Sequence, residues 1–262
     1  MNKLSGIALT AVLVATILAM LIPVMPVSAT TWDPTLGWDF ECHTNTHPWL
    51  DQLTDAQIRA EYEAVNNAFI AHGYTTPTQT AYPGGRLDKK GRVKAITAEY
   101  RNSGRVVWGT METYPVPDWY ELKAAQLKSN TKIGTIKGWI DQCISTNALL
   151  VILTHDVKDQ PSSWGCTPAI LTQAVDYAVQ KQNAGQLSVW TMAQAYDYWS
   201  TATSGKATCV FSFDDNWATD YTTVYPIFKA RGVKGTSYTI TGMVGDVDRL
   251  TWAQIDIMRS GA

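Results

Sequence analysis

Seven short apolar runs punctuate the chain, at about 38–42, 78–82, 105–108, 149–153, 187–190, 208–213 and 234–240. Their lengths suit strands, and the segments between them carry a different period. After Thr54, the residues Ile58, Tyr62, Val65 and Phe69 recur at helical spacing, Gln57 completes a capping-box signature, and Gly73 supplies a stop. Comparable helix starts stand at Thr167-Pro168, at Thr191 with Gln194, and at Thr251 with Gln254. Strands alternating with helices predict βαβ units and a parallel sheet, an α/β fold in which the loops after the strands carry the chemistry.

The chain opens differently. Met1-Asn2-Lys3 precedes an apolar run from Ile7 to Val24 and then Val27-Ser28-Ala29, which reads as a signal peptide over 1–29 with small residues at the cleavage positions. An uncleaved membrane anchor is the competing reading, because the run is long for a signal peptide and spanning needs about 17 to 25 apolar residues. Export follows in either case, to the exterior or the cell surface. The remainder is long enough for one large core.

Of the 262 residues, 21 are Lys or Arg and 23 Asp or Glu, a net charge of -2 with no basic run. That balance excludes an electrostatic nucleic-acid binder and gives no sign of an obligatory protein partner. The 11 Trp and 12 Tyr suit contact with sugar rings, although core packing accounts for most of them. Cys42 and Cys209 fall in predicted strands, and Cys143 and Cys166 flank another. A chain of this length needs no covalent staples, so buried free thiols are expected.

Two separated stretches stand out chemically: Glu41-Cys42-His43-Thr44-Asn45-Thr46-His47-Pro48, and Phe211-Ser212-Phe213-Asp214-Asp215-Asn216 near the other terminus. Two imidazoles and a carboxylate make a three-ligand metal site with a fourth position open, the arrangement of catalytic zinc. Each piece has a plainer reading. His pairs four apart are commonly incidental, Asp at a strand end caps turns, and a lone His such as His155 commonly has a structural role. Asp214 and Asp215 are neighbours in an extended segment and point opposite ways, so they should do different jobs. A glycosidase needs two carboxyls facing across a sugar, which adjacent residues on one strand do not provide. Of the four His, His72 lies on a last helical turn and is assigned to surface or capping duty.

These stretches, with Ala81-Tyr82-Pro83-Gly84-Gly85-Arg86 and Leu150-Val151-Ile152-Leu153-Thr154-His155, resemble the polysaccharide deacetylase family (NodB-homology domain, carbohydrate esterase family 4). The resemblance implies an irregular (β/α)7 barrel. It implies a metal, zinc before cobalt or nickel, on His43, His47 and Asp215, with Asp214 as general base and His155 as general acid. It implies a substrate-binding surface from Tyr82, Pro83, Gly84, Leu153 and Trp119, with the Gly84 N–H on the oxyanion and Leu153 lining an acetyl pocket. The implied substrate is an acetylated polysaccharide or oligosaccharide, with N-acetyl or O-acetyl groups removed.

Two departures matter. Ala81 stands where the family carries the Arg that orients the base; Arg86 is the nearest substitute in sequence. The Asp-Asp motif, first in the family, comes last here, after the Ser/Thr/Gly-rich stretch 200–206. This order fits a circularly permuted barrel, with 30–199 as its C-terminal part, 200–206 a linker and 207–262 its N-terminal part. It also fits the back of one repeat joined to the front of the next, active only as a swapped oligomer. Each motif occurs once and no internal repeat is seen, which favours permutation. A non-catalytic carbohydrate-binding barrel is the rival function.

Overall fold

A computed structural model describes residues 37–261; the signal peptide or anchor expected over 1–29 lies outside the described residues. Nine strands form one sheet: β1 (Asp39–Cys42), β2 (Gln79–Ala81), β3 (Ser103–Arg105), β4 (Met111–Glu112), β5 (Ala125–Gln126), β6 (Leu149–Thr154), β7 (Ser188–Val189), β8 (Thr208–Asp214) and β9 (Thr236–Thr239). Seven α-helices accompany them among the described residues: α1 (Asp55–Ala71), α2 (Arg92–Thr97), α3 (Ile133–Thr146), α4 (Pro168–Asn183), α5 (Met192–Trp199), α6 (Tyr225–Lys229) and α7 (Trp252–Ser260). No helix among the described residues is long and apolar enough to cross a membrane.

The sheet order is β3-β2-β1-β9-β8-β6-β4, with β5 also on β6 and β7 also on β8. All pairings are parallel except β4 with β6. A single parallel bridge from Arg105 to Leu122 links edge strand β3 to the segment leading into β5, so the curled sheet comes round on itself. This is the α/β barrel architecture expected. All seven expected strands are present, with β3 beginning and ending earlier than the 105–108 run. The two-residue strands β4 and β5 were not expected, since neither forms an apolar run of its own.

Alternation along the strands sorts residues into two cores, because successive strand side chains point to opposite faces. On β6, Leu150 and Ile152 pack outward under the helices, while Leu149, Val151 and Leu153 point into the barrel. On β8, Cys209, Phe211 and Phe213 go outward. Ser212 and Asp214 therefore face inward. On β1, Phe40 and Cys42 pack outward, which turns Asp39, Glu41 and the following His43 toward the axis. Cys42, Cys143, Cys166 and Cys209 are buried free thiols.

The expected helix starts carry caps. Thr54, Thr191 and Thr251 each form a capping box with the Gln three residues on, and Thr167 caps a helix with Pro at its first turn. Each side-chain oxygen satisfies a backbone N–H that the helix itself leaves unpaired. His72 caps the end of α1, its Nδ1 2.8 Å from Ala68 O and its ring stacked on Trp252 at 3.8 Å.

The two ends of the described segment meet at the bottom of the barrel. Strands β8 and β9 sit between β6 and β1, and α7 delivers the chain back beside β1, where Trp38 N–H donates to Met258 O at 3.0 Å. Gly37 packs so tightly there that a Cβ would lie 1.7 Å from Arg259 O.

Candidate active site

At the opposite end, loops following β1, β2, β6 and β8 converge. Residues 43–47, just past β1, form a tight turn in which Thr44 (φ 65°) and His47 (φ 62°) adopt left-handed backbone conformations. Such conformations cost of order 1–3 kcal/mol each and persist only where the surroundings impose them. Here they are imposed by Glu61 on α1, whose carboxylate accepts the Asn45 and Thr46 N–H groups at 2.8 Å and the Thr46 hydroxyl at 2.6 Å. Thr44 Oγ1 accepts the His47 N–H at 3.0 Å and closes the turn. The turn thereby brings the two imidazoles side by side, ring centroids 4.7 Å apart.

Asp215 meets them from β8. It too has a left-handed backbone (φ 75°), held by the Arg249 guanidinium on its carbonyl at 2.6 Å and by its own N–H on Tyr238 O at 3.2 Å. Its Oδ1 lies 3.4 Å from His43 Nε2 and 3.5 Å from His47 Nε2, and its Oδ2 lies 4.0 Å from His155 Nε2. Burial would raise the Asp215 carboxyl, but the close approach of His43 and the charges of His43, His155 and His47 hold it well below the usual carboxylate range. His47 is pushed down to about 4 by burial and by the neighbouring His43. Burial alone would also lower His43, yet Asp215 and Asp214 more than offset it.

The donor set fits a divalent metal. Ligand atoms of His43, His47 and Asp215 all fall within 4.8 Å of one another. Bonds of about 2.0–2.2 Å to a tetrahedral zinc set pairs of ligand atoms roughly 3.3–3.6 Å apart, which matches both Asp215 distances. Asp215 Oδ1 is buried with no hydrogen-bond partner among the described residues, an orphan that a cation would satisfy. His43 Nδ1 lies 2.8 Å from Ala81 O. That contact keeps the proton on Nδ1 and leaves the Nε2 lone pair facing the cluster, the usual outer support of a metal-binding His.

Asp214 points the other way from Asp215, into the barrel, where Arg105 Nη2 donates to its Oδ1 at 2.5 Å. Both side chains are almost wholly buried, and the guanidinium lies over the Tyr238 ring at 4.8 Å. Arg105 is in direct register with Ala81 across the β2–β3 pair. In-register side chains share a face. The arginine that Ala81 lacks is thus supplied from the next strand. Arg86 does not supply it, because its guanidinium pairs with Asp51 at 2.6 Å.

A cavity of about 360 Å³ is lined by His43, His47, Gly84, Val107, Gln126, His155, Trp164, Asp214 and Asp215. It gathers all five residues expected to perform chemistry, together with Gly84, whose φ of 61° glycine takes at little cost. His155 Nδ1 is buried without a hydrogen-bond partner among the described residues. The other expected substrate contacts stand off the wall. Tyr82 is fully buried, its hydroxyl donating to Tyr120 O at 3.0 Å and its ring filling the space left by Gly104. Pro83 is buried at the turn after β2, and Leu153 belongs to the barrel interior. Trp119 packs on Tyr196 at 4.8 Å, and neighbouring Asp118 spends its carboxylate on Lys94. Val107, Gln126 and Trp164 take their place on the wall, and no motif pointed to them.

Residues 35–103 match the sequence profile of the polysaccharide deacetylase family. No curated protein matches the chain. Among solved structures, it is similar to the Streptococcus pyogenes deacetylase PplD in complex with acetate (21% identity over 43% of this chain and 52% of that one, TM-score 0.37). It is also similar to IcaB from Ammonifex degensii (25%, 43% and 48%, 0.38) and to a de-N-acetylase from Aggregatibacter actinomycetemcomitans (20%, 43% and 51%, 0.34). The chain spans about half the length of these solved deacetylases. The matched stretch carries β1 and β2 with His43, His47 and Gly84, and ends as β3 begins.

Proposed function

We propose that this protein is a metal-dependent hydrolase that removes N-acetyl groups, or O-acetyl groups by the same parts, from an acetylated polysaccharide. The observation that carries the reading is the convergence on one cavity of Asp215 with three imidazoles and of Asp214 with the buried Arg105. His43, His47 and Asp215 would hold the metal, with zinc favoured by an imidazole and carboxylate donor set. When bound, such an ion supplies Lewis acidity toward the acetyl carbonyl and makes water acidic enough to ionise near neutral pH.

Asp214 takes a proton from the attacking water, and Arg105 fixes the direction in which its carboxylate faces. Gly84 sits on the wall where a backbone N–H serves the developing oxyanion, a kind of contact worth roughly 3–4 kcal/mol. His155 delivers the proton to the departing amine, releasing acetate and a free amino sugar. A non-catalytic binding barrel would have no use for a charged pair such as Asp214 and Arg105 in its core, since burying one is costly.

We infer further that the segment order is circularly permuted, residues 207–261 being the front of the domain. The seating of β8 and β9 between β6 and β1, and the contact of α7 with Trp38, support this. A chain reordered to run from residue 207 through 261 and then from 37 to 200 should fold and bind metal like the original.

The direct test is metal content in the monomer peak of a sizing column, followed by acetate release from acetylated glycans. About one ion per chain is expected, lost in His43→Ala. Asp214→Asn should retain the ion and lose about 10²–10⁴ in kcat; full activity in that variant would overturn the assignment of the base. Metal found only in a dimer would replace the permuted monomer with a swapped assembly.

A further inference from the structure

Three loops at the mouth of the barrel are tied to one another around Trp217, two residues past Asp215. The loop between β9 and α7 runs beside it as a short antiparallel bridge, in which Ala218 N–H donates to Asp248 O and Leu250 N–H to Asn216 O, each at 2.8 Å. That bridge seats the Arg249 guanidinium on the indole, 3.8 Å from the ring centroid, while Nη1 donates to Asp215 O at 2.6 Å. The loop after β6 reaches the same segment. Val157 N–H, two residues past His155, donates to Thr219 Oγ1 at 3.2 Å. Lys158 Nζ lies 5.9 Å from the Trp217 ring centroid and pairs with Asp156 at 3.0 Å.

These ties meet two needs of the site. Asp215 and Asn216 are consecutive left-handed residues, φ 75° and 43°, and such backbone costs of order 1–3 kcal/mol per residue unless the surroundings impose it. Arg249 imposes it through the Asp215 carbonyl, and stacking on the indole attracts the guanidinium to its post. His155 is held differently. Its Nδ1 is buried without a hydrogen-bond partner among the described residues, so no neighbouring side chain orients the ring through that nitrogen and its place follows from the backbone behind it. Thr219 holds that backbone. The 4.0 Å approach of His155 Nε2 to Asp215 Oδ2 is therefore set by two loops that join at residues 217–219.

We propose that Arg249, Trp217 and Thr219 are positioning residues that latch the loop of the metal ligand Asp215 to the loop of the general acid His155, fixing the separation of ion and proton donor. This rests on the deacetylase reading and adds to it three residues, none of which lines the cavity. A displacement of about 1 Å at a reacting group can cost about 10²-fold in rate, so a latch outside the cavity has leverage on the chemistry within it.

The test uses the full chain with two readouts, zinc affinity in competition with a chelator and acetate release from N-acetylchitopentaose or an acetylated xylopentaose. Arg249→Ala should bind zinc about 10- to 100-fold more weakly, and Arg249→Lys, which keeps a donor for Asp215 O, should recover part of the loss. Thr219→Val should bind zinc normally and lower kcat about 10- to 100-fold with KM kept. That loss should vanish beside His155→Ala, because a residue acting through a group has no effect once the group is gone. Trp217→Leu should weaken both readouts. Unchanged zinc affinity in Arg249→Ala, unchanged kcat in Thr219→Val, or a Thr219→Val loss that persists in full beside His155→Ala would overturn the latch with the deacetylase reading intact. If Arg249→Ala does not fold, the Thr219→Val arm decides alone. A wild type that binds no zinc would remove the reading and the latch together. Zinc binding without acetate release from either oligosaccharide would sink the reading, and equal zinc affinity in wild type, Arg249→Ala and Trp217→Leu would then remove the latch as well.

Discussion

Asp215 at the mouth of the barrel and Asp39 with Glu41 at its floor are carboxylates taken largely out of water on the same curled sheet, in opposite electrostatic surroundings. At the floor, Asp39 accepts from Ala193 N–H and Thr236 Oγ1, each at 3.1 Å, and Glu41 accepts from Thr78 N–H at 2.8 Å and Gln79 N–H at 2.7 Å. These donors, with the Thr78 hydroxyl on Glu41, are neutral; burial pushes both acids upward, the charge of Asp39 raises Glu41 further, and the charges of Arg259 and Arg101 oppose this only in part. At the mouth, Asp215 looks at three imidazoles and is held ionised. Neutral donors satisfy lone pairs but do not repay the desolvation of a charge; cationic partners do. At the mouth burial is more than offset and the acid stays in its charged range; at the floor burial wins and both acids are held above their ordinary range.

The largest effect should follow from deleting the charge at the mouth. Asp215→Ala is expected to abolish metal retention on dialysis and to cut acetate release by more than 10³-fold, whereas Asp39→Asn should leave both within about twofold. Comparable losses in the two variants would erase the distinction between the two ends. Next in size is Arg105. Removing it strands Asp214 as an unpaired buried charge, a change that costs about 3–5 kcal/mol, to be read from denaturant unfolding of Arg105→Ala. Because Ala81 and Arg105 are in-register partners, the double variant Arg105→Ala, Ala81→Arg should recover part of both stability and rate. No recovery would mean that Asp214 depends on this strand position and not merely on an arginine at that face.

Glu61 offers a smaller and more selective perturbation. It touches neither imidazole, yet its carboxylate holds the left-handed turn between them. Outer supports of metal ligands typically contribute 10- to 100-fold in affinity, so Glu61→Ala should weaken metal binding by that factor in competition with a chelator. Glu61→Gln keeps one acceptor oxygen and should fall in between. Unchanged metal affinity in Glu61→Ala would show that the turn is self-supporting.

How much of this could be read beforehand varies with how local the signal is. The capping boxes at Thr54, Thr191 and Thr251 involve residues three apart, and the long strands β6 and β8 are continuous apolar runs, so both kinds of element were legible. Strands β4 and β5 have two residues each and exist only because β6 offers them an edge. The cluster of His43, His47 and Asp215 was legible as a candidate metal site, and the fold does bring the three side chains together. Arg105 was not. It opens the expected strand 105–108, but its value comes from lying opposite Ala81 and beneath Asp214, more than a hundred residues on, and no sequence spacing encodes that register. Tyr82, Leu153 and Trp119 were expected on the cavity wall from motif position alone; packing draws Tyr82 and Leu153 into the body of the protein and sets half-buried Trp119 against Tyr196.

The comparison can be sharpened last, and most gently, at the floor. Asp39 has its folded-state carboxyl raised above the ordinary 3.8 by burial. Below that value both folded and unfolded chains carry the proton, and the group costs nothing. As pH rises, the unfolded chain releases its proton first, so stability falls by about 1.4 kcal/mol for each pH unit until the folded state also ionises. The penalty is then complete and constant at higher pH. Asp39→Asn keeps a carbonyl oxygen for Ala193 N–H and Thr236 Oγ1 and has no charge to bury. Relative to wild type, the variant should therefore gain thermal stability on going from pH 4 to pH 7, with the gap levelling off above the raised value. A gap that stays constant across this range would mean that Asp39 remains ionised in the core, held by Arg259 nearby, and that floor and mouth follow the same electrostatic rule after all.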